Sequence, residues 1–483
     1  MSEKTQTNSI TIAGAGFCGT TILANQIREI QRAWAQAGEP DNFPQTKIIV
    51  TDPRADYGPG DPYEQKSLDN RALLNQAAYA MSPFPDEPDH FTNYLDNRFD
   101  YRSREDLENS FQQRPIYGEY LSSVFDEAVQ IANAANFPVE VELIPAAITD
   151  AFDLGDQTWQ VSANARLWDT DQLIIADGHH KNEYLTEFEG HSLYFDGHLN
   201  RDEFKTINGT NNRVLIVGSG QTMIDRLAEL ENYGYEGEVH SASRRGVLPW
   251  LFEPELYNPN NTFPPYQLSF FTSENTAKST SANDLQFLWE KEIARACTTG
   301  YGPGHILGAF YKEDSIFKGF EHPDSEIWKI QLDRISAWYG NPTSPQRYEL
   351  YQKAIREKQF ISHQSSIKSD QIEACDDGFI VQINGNPIKF DAIFNAASCA
   401  RSLKNPQGQI RSPLISNLDE RGSIKWDNLH HGIILAGQQQ KNGLYYAGPY
   451  SFPGKWGVET FRTSLQETAL QSLNLQQRLQ LTA

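Results

Sequence analysis

Three glycines, Gly14, Gly16 and Gly19, follow the apolar run Ile10–Ala13 and precede Ile22, Leu23, Ile27 and Ile30 at helical spacing. That is the pattern of a strand, a tight turn and a helix start. A helix start holds a diphosphate on its main-chain N–H groups, provided no side chain on the turn keeps the phosphates away. In this reading Gly14 permits the turn, Gly16 the close approach and Gly19 the packing of helix on strand, with Phe17 and Cys18 completing the cradle. A second apolar strand, KIIVTD, ends in Asp52, the place for an acid that binds a ribose hydroxyl. Its separation from the glycines exceeds the usual ~20 residues because the loop AGEPDNFPQT lengthens the connection.

The theme returns in RVLIVGSGQTMID. Gly218 and Gly220 open a helix through Gln221 and Thr222, but Met223 stands where a third glycine would be, so that helix must pack less closely on its strand. The next strand, GEVHSAS, ends in Ser243, Arg244 and Arg245 instead of an acid. Guanidinium groups at that position hold a ribose 2′-phosphate through charge-assisted hydrogen bonds, which favours NADPH over NADH. With two nucleotide sites in one chain, one holds a fixed redox carrier and the other admits a diffusing reductant.

Elsewhere the reactive side chains are sparse. Cys18, Cys297, Cys375 and Cys399 stand far apart without a C-x-x-C pair or a His/Cys cluster, which argues against zinc, a redox dithiol and a disulfide framework, so no metal is expected. His179 and His180, in LIIADGHH, either touch substrate or nicotinamide or are solvated loop histidines. The formal charge of −22 repels phosphate backbones and anionic membrane surfaces, so neither nucleic acid nor membrane is an expected partner. The start MSEKTQTNS is polar and no run of ~18 apolar residues is present, so the expected location is the cytoplasm.

Placing these residues takes more than one core, because 483 residues exceed the ~250–300 at which a single core stops growing. The expected class is α/β, with two Rossmann-like dinucleotide-binding domains. The first is discontinuous, over 1–205 and 375–483; the second, 206–374, is nested within it and carries a largely helical insertion at 250–358. YGPGDPYE and MSPFPDEPDH are too rich in Pro and Gly for regular elements, whereas RPIYGEYLSSVFDEAVQIA reads as an amphipathic helix. VEVELI, AITDAF, WQVSA and QLIIADG read as a small antiparallel excursion that returns to the main sheet. GFIVQING, DAIFNAAS and GLYYAGPY restore strand character in the returning half of the first domain, and KWGVETFRTSLQETALQSLNLQQRL closes the chain as a helix. Beyond the paired glycine units, no repeat with a period of ~20–50 residues is present.

Taken together, IAGAGFCGTT, YGPGDPY leading into LLNQAAYAMSPFPDEPDHF, RPIYGEYL, VLIVGSGQTMID, SRRGVLP and GLYYAGPY resemble the bacterial FAD/NAD(P)-binding proteins. These are two-dinucleotide-binding-domain flavoproteins related to flavin-dependent monooxygenases, and the likeness spans most of the chain except its helical middle. The resemblance implies FAD on the unit of Gly14, Gly16, Gly19 and Asp52, and NADPH on the unit of Gly218, Gly220, Gln221, Thr222, Arg244 and Arg245. Asn75, and the AGPYSFPGKWGVE turn with Gly448, Pro449 and Gly457, would lie along the flavin. A helix starting at that turn would aim N–H groups at negative charge on a reduced flavin ring. Asn75, Trp456 and His179 are the candidates for a part in catalysis.

What the resemblance implies in function is a single-component monooxygenase that oxygenates a small amine-bearing or aromatic metabolite. The flavin would carry the oxygen chemistry, so few protein acids or bases are required. Two departures bear on the oxygen step. FEGHSLYFDGHLN keeps Phe188 and Gly190 of the monooxygenase pattern but has Tyr194 at its histidine, with His191 and His198 nearby. Asp177 replaces the threonine that relatives more often have in LIIADGHH. An NADPH-dependent flavin reductase or oxidase, a single-component flavin halogenase and a non-catalytic nucleotide sensor are the alternatives.

Overall fold

The computed structural model describes residues 8–64, 72–155, 158–198, 201–207, 212–244, 246, 248–253, 266–279, 281–299, 301, 306, 309, 342–397, 403–405, 407–424, 433–434, 443–448 and 451–452.

Strand Asn8–Ala13 alternates its faces, as any strand does, and both faces are covered. Ile10 and Ile12 are fully buried against Ile22, Leu23 and Ile27 of helix Phe17–Gln36 and Leu121 and Val124 of helix Arg114–Ala132. Each such isoleucine contributes about 1.5–3 kcal/mol by leaving water. Ala13, on the opposite face, shares a core with Leu173 and Ile175, with Trp159 and Val161, and with Leu414, Ile415 and Leu418 of helix Pro413–Glu420. Sheets covered on both faces are the setting in which parallel strands are found. Here all five are parallel, in the order Leu444–Tyr446, Gln172–Ile175, Asn8–Ala13, Thr46–Thr51, Val139–Ile144.

Between Val139–Ile144 and Gln172–Ile175 in the chain, Asp150–Gly155, Thr158–Ala163 and Arg166–Thr170 form a separate antiparallel sheet. Val139–Ile144 does not belong to it, although its sequence was grouped with those strands. It is the outer parallel strand of the main sheet, and its edge position leaves only its end residues, Val139 and Ile144, buried.

The second unit repeats this plan. Its parallel sheet runs Phe360–Gln364, Glu238–Ser243, Arg213–Val217, Ala392–Asn395, Tyr194–Phe195. Val214 and Ile216 pack on Met223, Ile224 and Leu227 of helix Gln221–Asn232 and on Tyr351 of helix Pro345–Arg356. Leu215 and Val217 pack on Phe379, Val381 and Ile383. These last three come from a second three-stranded antiparallel sheet, Ile372–Cys375, Gly378–Ile383 and Asn386–Phe390.

A boundary at 375 therefore needs correction. The strands in GFIVQING and DAIFNAAS belong to the second unit, since Ala392–Asn395 is hydrogen-bonded beside Arg213–Val217, and Tyr194–Phe195 joins the same sheet from before residue 206. Of the three C-terminal strands assigned to the first domain, Leu444–Tyr446 is the one paired there, with Gln172–Ile175. Helix Pro345–Arg356 also leaves the insertion: it packs as the crossover helix before Phe360–Gln364.

The insertion itself has a small core of Tyr266, Phe271, Leu285 and Trp289, under helices Ser273–Ala277 and Ala282–Thr298. Its organising group is Glu292, 0% exposed. Its carboxylate accepts from the Tyr266 hydroxyl at 2.6 Å and from the N–H groups of Ser269, Phe270 and Phe271 at 2.9, 2.6 and 2.8 Å. Hydrogen bonds to an ionised acceptor contribute about 1.5–3 kcal/mol each. Glu292→Gln is therefore expected to speed amide exchange at Ser269–Phe271 by about 30-fold or more, with exchange in the two parallel sheets unchanged.

Candidate functional site

Both glycine turns sit where the strand order reverses, the crevice in which open α/β sheets bind ligands. Gly14 has φ +110°, and a Cβ there would lie 2.2 Å from the carbonyl oxygen of Ala176, at the end of the neighbouring strand. Gly218 has φ +130°, and its Cβ would lie 2.3 Å from the carbonyl oxygen of Ala396. The two turns are built on one template. Gly19 packs helix on strand so closely that a Cβ would come within 1.9 Å of the Gly14 carbonyl. Its counterpart Met223 is fully buried in the second core and fills the wider gap there.

Gly16 and Gly220 are the N-caps of helices Phe17–Gln36 and Gln221–Asn232, and neither brings a side-chain acceptor to the helix start. A positive helix end without its own cap suits an anion. Gly16 also has a partner that sequence reasoning missed. A Cβ on Gly16 would meet Gly60 Cα at 3.2 Å, and one on Gly60 would meet Gly16 Cα at 3.1 Å. The YGPGDPY loop is tied to the turn there: Gly58 N–H donates to Ala15 O at 2.8 Å, and the Thr20 hydroxyl lies 3.1 Å from Ala15 O and 3.3 Å from Gly58 O. Two bare Cα atoms facing each other explain why both loops need glycine.

Asp52 ends its strand as expected, but its carboxylate is engaged. Oδ2 accepts from Ala15 N–H at 3.0 Å, and both oxygens accept from Arg54, through its N–H, Nε and Nη2, each at 3.0 Å. Burial works to raise the Asp52 pKa, yet the bonds from Arg54 and Ala15 outweigh it and hold the carboxyl below its ordinary value. Folding then gains stability that is complete above the unfolded carboxyl's pKa of about 3.9 and is lost as pH falls through the lower folded value. Asp52→Asn is expected to lower the melting temperature at neutral pH and to flatten its fall below about pH 4, read by calorimetry across pH.

Arg54 is the second residue missed. Its guanidinium pairs with Asp52 and Asp61 and lies 3.8 Å from the Cβ position of Gly16, which puts N–H donors at the mouth of the first turn. The signal was an arginine two residues after the strand-ending acid. The Asp52 bond raises its pKa further, so it is always charged.

At the second turn the Ser219 hydroxyl donates to Ser243 Oγ at 2.8 Å, and Ser243 Oγ also accepts from Gly246 N–H at 3.0 Å. Arg244, next in sequence, is exposed and makes no ion pair among the described residues. Gln221 accepts from the Thr343 hydroxyl at 3.1 Å, and Thr222 is half-buried in the first helical turn.

Other expected residues are placed as follows. Asn75 is exposed, with its Oδ1 3.4 Å from Arg114 Nη2. His179 is exposed, while His180 Nε2 lies 3.3 Å from Asp177 Oδ2. Asp177 Oδ1 is buried without a hydrogen-bond partner beside the Gly14 turn, and a ligand hydroxyl would satisfy it. Phe17 and Cys18 are half-buried at the helix start, Phe17 edge-on to Tyr63. Gly448 closes the strand Leu444–Tyr446 segment, packed close to the Tyr446 ring. Arg245, Cys399, Pro449, Trp456, Gly457 and the closing helix lie outside the described residues.

The two histidines of FEGHSLYFDGHLN are structural. His191 Nε2 bonds Cys375 O at 3.0 Å, and His198 is held by Glu229 and Arg226 on helix Gln221–Asn232 at 2.6 and 2.8 Å. Among the described residues there is no His/Cys/Asp/Glu cluster fit for a metal ion, and no helix long and apolar enough to cross a membrane.

Residues 11–180 match the family model described as FAD-NAD(P)-binding. This stretch is an FAD/NAD(P)-binding domain. It spans the first turn, Asp52, Asn75 and His179. The sequence matches none of the curated proteins. Among solved structures, L-lysine 6-monooxygenase from Pseudomonas syringae is similar at TM-score 0.57 and 13% identity, over 98% of this chain and 99% of that one. The FAD-bound cadaverine monooxygenase from Erwinia amylovora is similar at 0.54 and 12%, over 95% and 94%. Bacillithiol disulfide reductase from Staphylococcus aureus is similar at 0.51 and 11%, over 98% and 99%. The fold is that of the FAD- and NAD(P)H-dependent monooxygenases and reductases.

Proposed function

We propose that the chain is an FAD- and NADPH-dependent oxidoreductase, and specifically a single-component monooxygenase that oxygenates a small amine-bearing or aromatic metabolite. The observation that carries this reading is the doubled turn: Gly14 against Ala176 and Gly218 against Ala396, with an acid after the first unit and the exposed Arg244 after the second. The first helix start, the Arg54 guanidinium beside it and the unsatisfied Asp177 oxygen fit the diphosphate and hydroxyls of FAD. Arg244 fits the 2′-phosphate of NADPH. Bound FAD supplies the hydride acceptor and the oxygen chemistry. The chain's own part is to hold each diphosphate on a bare turn, keep the first turn rigid through Asp52, and select the reductant through Arg244.

The amine substrate is supported by two similar structures, one of a lysine and the other of a cadaverine monooxygenase. The excess of acidic residues is compatible with a cationic substrate. The rival reading, a reductase that passes electrons on without inserting oxygen, is supported by the similarity to a disulfide reductase and by Tyr194 at the position of the monooxygenase histidine.

Purified protein is expected to take up FAD, consume NADPH, and yield a product heavier than its amine substrate by one oxygen atom. A protein that binds no FAD defeats the whole reading. NADPH consumption with peroxide alone, across lysine, ornithine, diamines and aromatic amines, favours the reductase.

A further inference from the structure

We propose that Asp225 is a positioning residue that sets the spacing between the two dinucleotide units. It rests on the reading above, in which hydride passes from the nucleotide of the second unit to that of the first. Asp225 lies on helix Gln221–Asn232, one turn beyond the glycine turn. Its Oδ2 accepts from Arg114 Nη2 at 3.1 Å and its Oδ1 meets Arg347 Nη1 at 2.9 Å, all three side chains being largely buried. Arg347 Nη1 also donates to Ile224 O at 3.1 Å, which fixes the carboxylate relative to its own helix.

Arg114 belongs to the first unit. Its N–H donates to Ala72 O at 2.6 Å, its Nε to Leu73 O at 3.0 Å, and its Nη2 reaches Asn75 Oδ1 at 3.4 Å. One guanidinium thus joins the Leu73–Asn75 segment of one domain to the cofactor helix of the other. A buried ion pair is weak evidence for stability, because desolvation offsets most of its attraction. Its distinctive property is geometry: the planar fork of arginine fixes several acceptors at once, which a lysine or an apolar contact does not. Hydride transfer falls steeply when the two partners are misplaced by ~1 Å, so a rigid clamp between the domains acts on that step before it acts on binding.

Asp225→Asn keeps the shape and removes the charge. In the FAD-loaded variant, anaerobic reduction of the flavin by NADPH is expected to slow by about tenfold or more. FAD content and NADPH affinity should stay within about twofold, and reduction by dithionite should be unchanged. Asp225→Glu should recover part of the rate, and Arg114→Lys, which keeps the charge without the fork, should behave like Asp225→Asn. In the cofactor-free protein, amide exchange should quicken together at Ala72–Asn75 and Ile224–Arg226. Wild-type reduction rates in Asp225→Asn, or faster exchange confined to helix Gln221–Asn232, would overturn the proposal. Should wild-type protein itself not be reduced by NADPH, the oxidoreductase reading fails, and the exchange experiment alone decides whether Asp225 couples the units.

Discussion

Gly14→Ala protein is expected to purify without flavin, while Gly218→Ala protein retains its flavin but is no longer reduced by NADPH. The two substitutions introduce the same defect at matching places. Each adds a Cβ within 2.2 or 2.3 Å of a neighbouring carbonyl oxygen, at φ +110° or +130°, where side chains are strained. Neither strand can move aside without opening its parallel sheet, so the local cost is on the order of 3–5 kcal/mol. Relief comes from shifting the turn, and a turn displaced by an ångström no longer presents its helix start to a diphosphate. Flavin absorbance of the purified proteins and anaerobic NADPH titration read the two outcomes. If Gly218→Ala loses FAD and Gly14→Ala keeps it, the assignment of cofactors to units is reversed.

Arg244→Ala is expected to raise KM for NADPH by about 10–100-fold and leave KM for NADH within about twofold, from the ~1.5–3 kcal/mol of a hydrogen bond to a charged group. Arg244 is exposed and makes no ion pair among the described residues, so the loss expected is that of its bond to the ligand phosphate. The discrimination should weaken as salt rises, because the site is open to solvent. Equal losses with both nucleotides would show that the guanidinium does not read the 2′-phosphate.

Much of the site was legible in the sequence because its requirements are local. A strand, a bare turn and a helix occupy consecutive residues, and the positive φ of Gly14 and Gly218 and the contact of Gly19 with the Gly14 carbonyl all arise within the turn. Asp52 and Arg244, each next after the end of its strand, were readable for the same reason: a strand's end is marked by its own apolar pattern. The helix at Arg114–Ala132 coincided with its sequence pattern, since its buried stripe and its proline at the first turn are contained in the segment itself.

What the sequence did not determine depends on partners far along the chain. Ala392–Asn395 is four buried or nearly buried residues that would suit either sheet, and its place beside Arg213–Val217 follows from the crossover through the antiparallel strands before it. The duplication was readable in the paired glycine turns but not beyond them, because the rest of the shared plan is carried by pairing order and covered faces, which many side chains satisfy, and not by residues at a fixed period. Asp52 was placed correctly on its strand, but that its carboxylate would be engaged by Ala15 and Arg54 is a matter of how the turn folds back over the strand end. The approach of Gly60 to Gly16 and the bond from Arg114 to Asp225 likewise join segments that no local pattern connects. Local backbone chemistry wrote the two glycine turns into the sequence; tertiary packing alone decided which strands flank them, which groups hold them rigid, and how the two domains are joined.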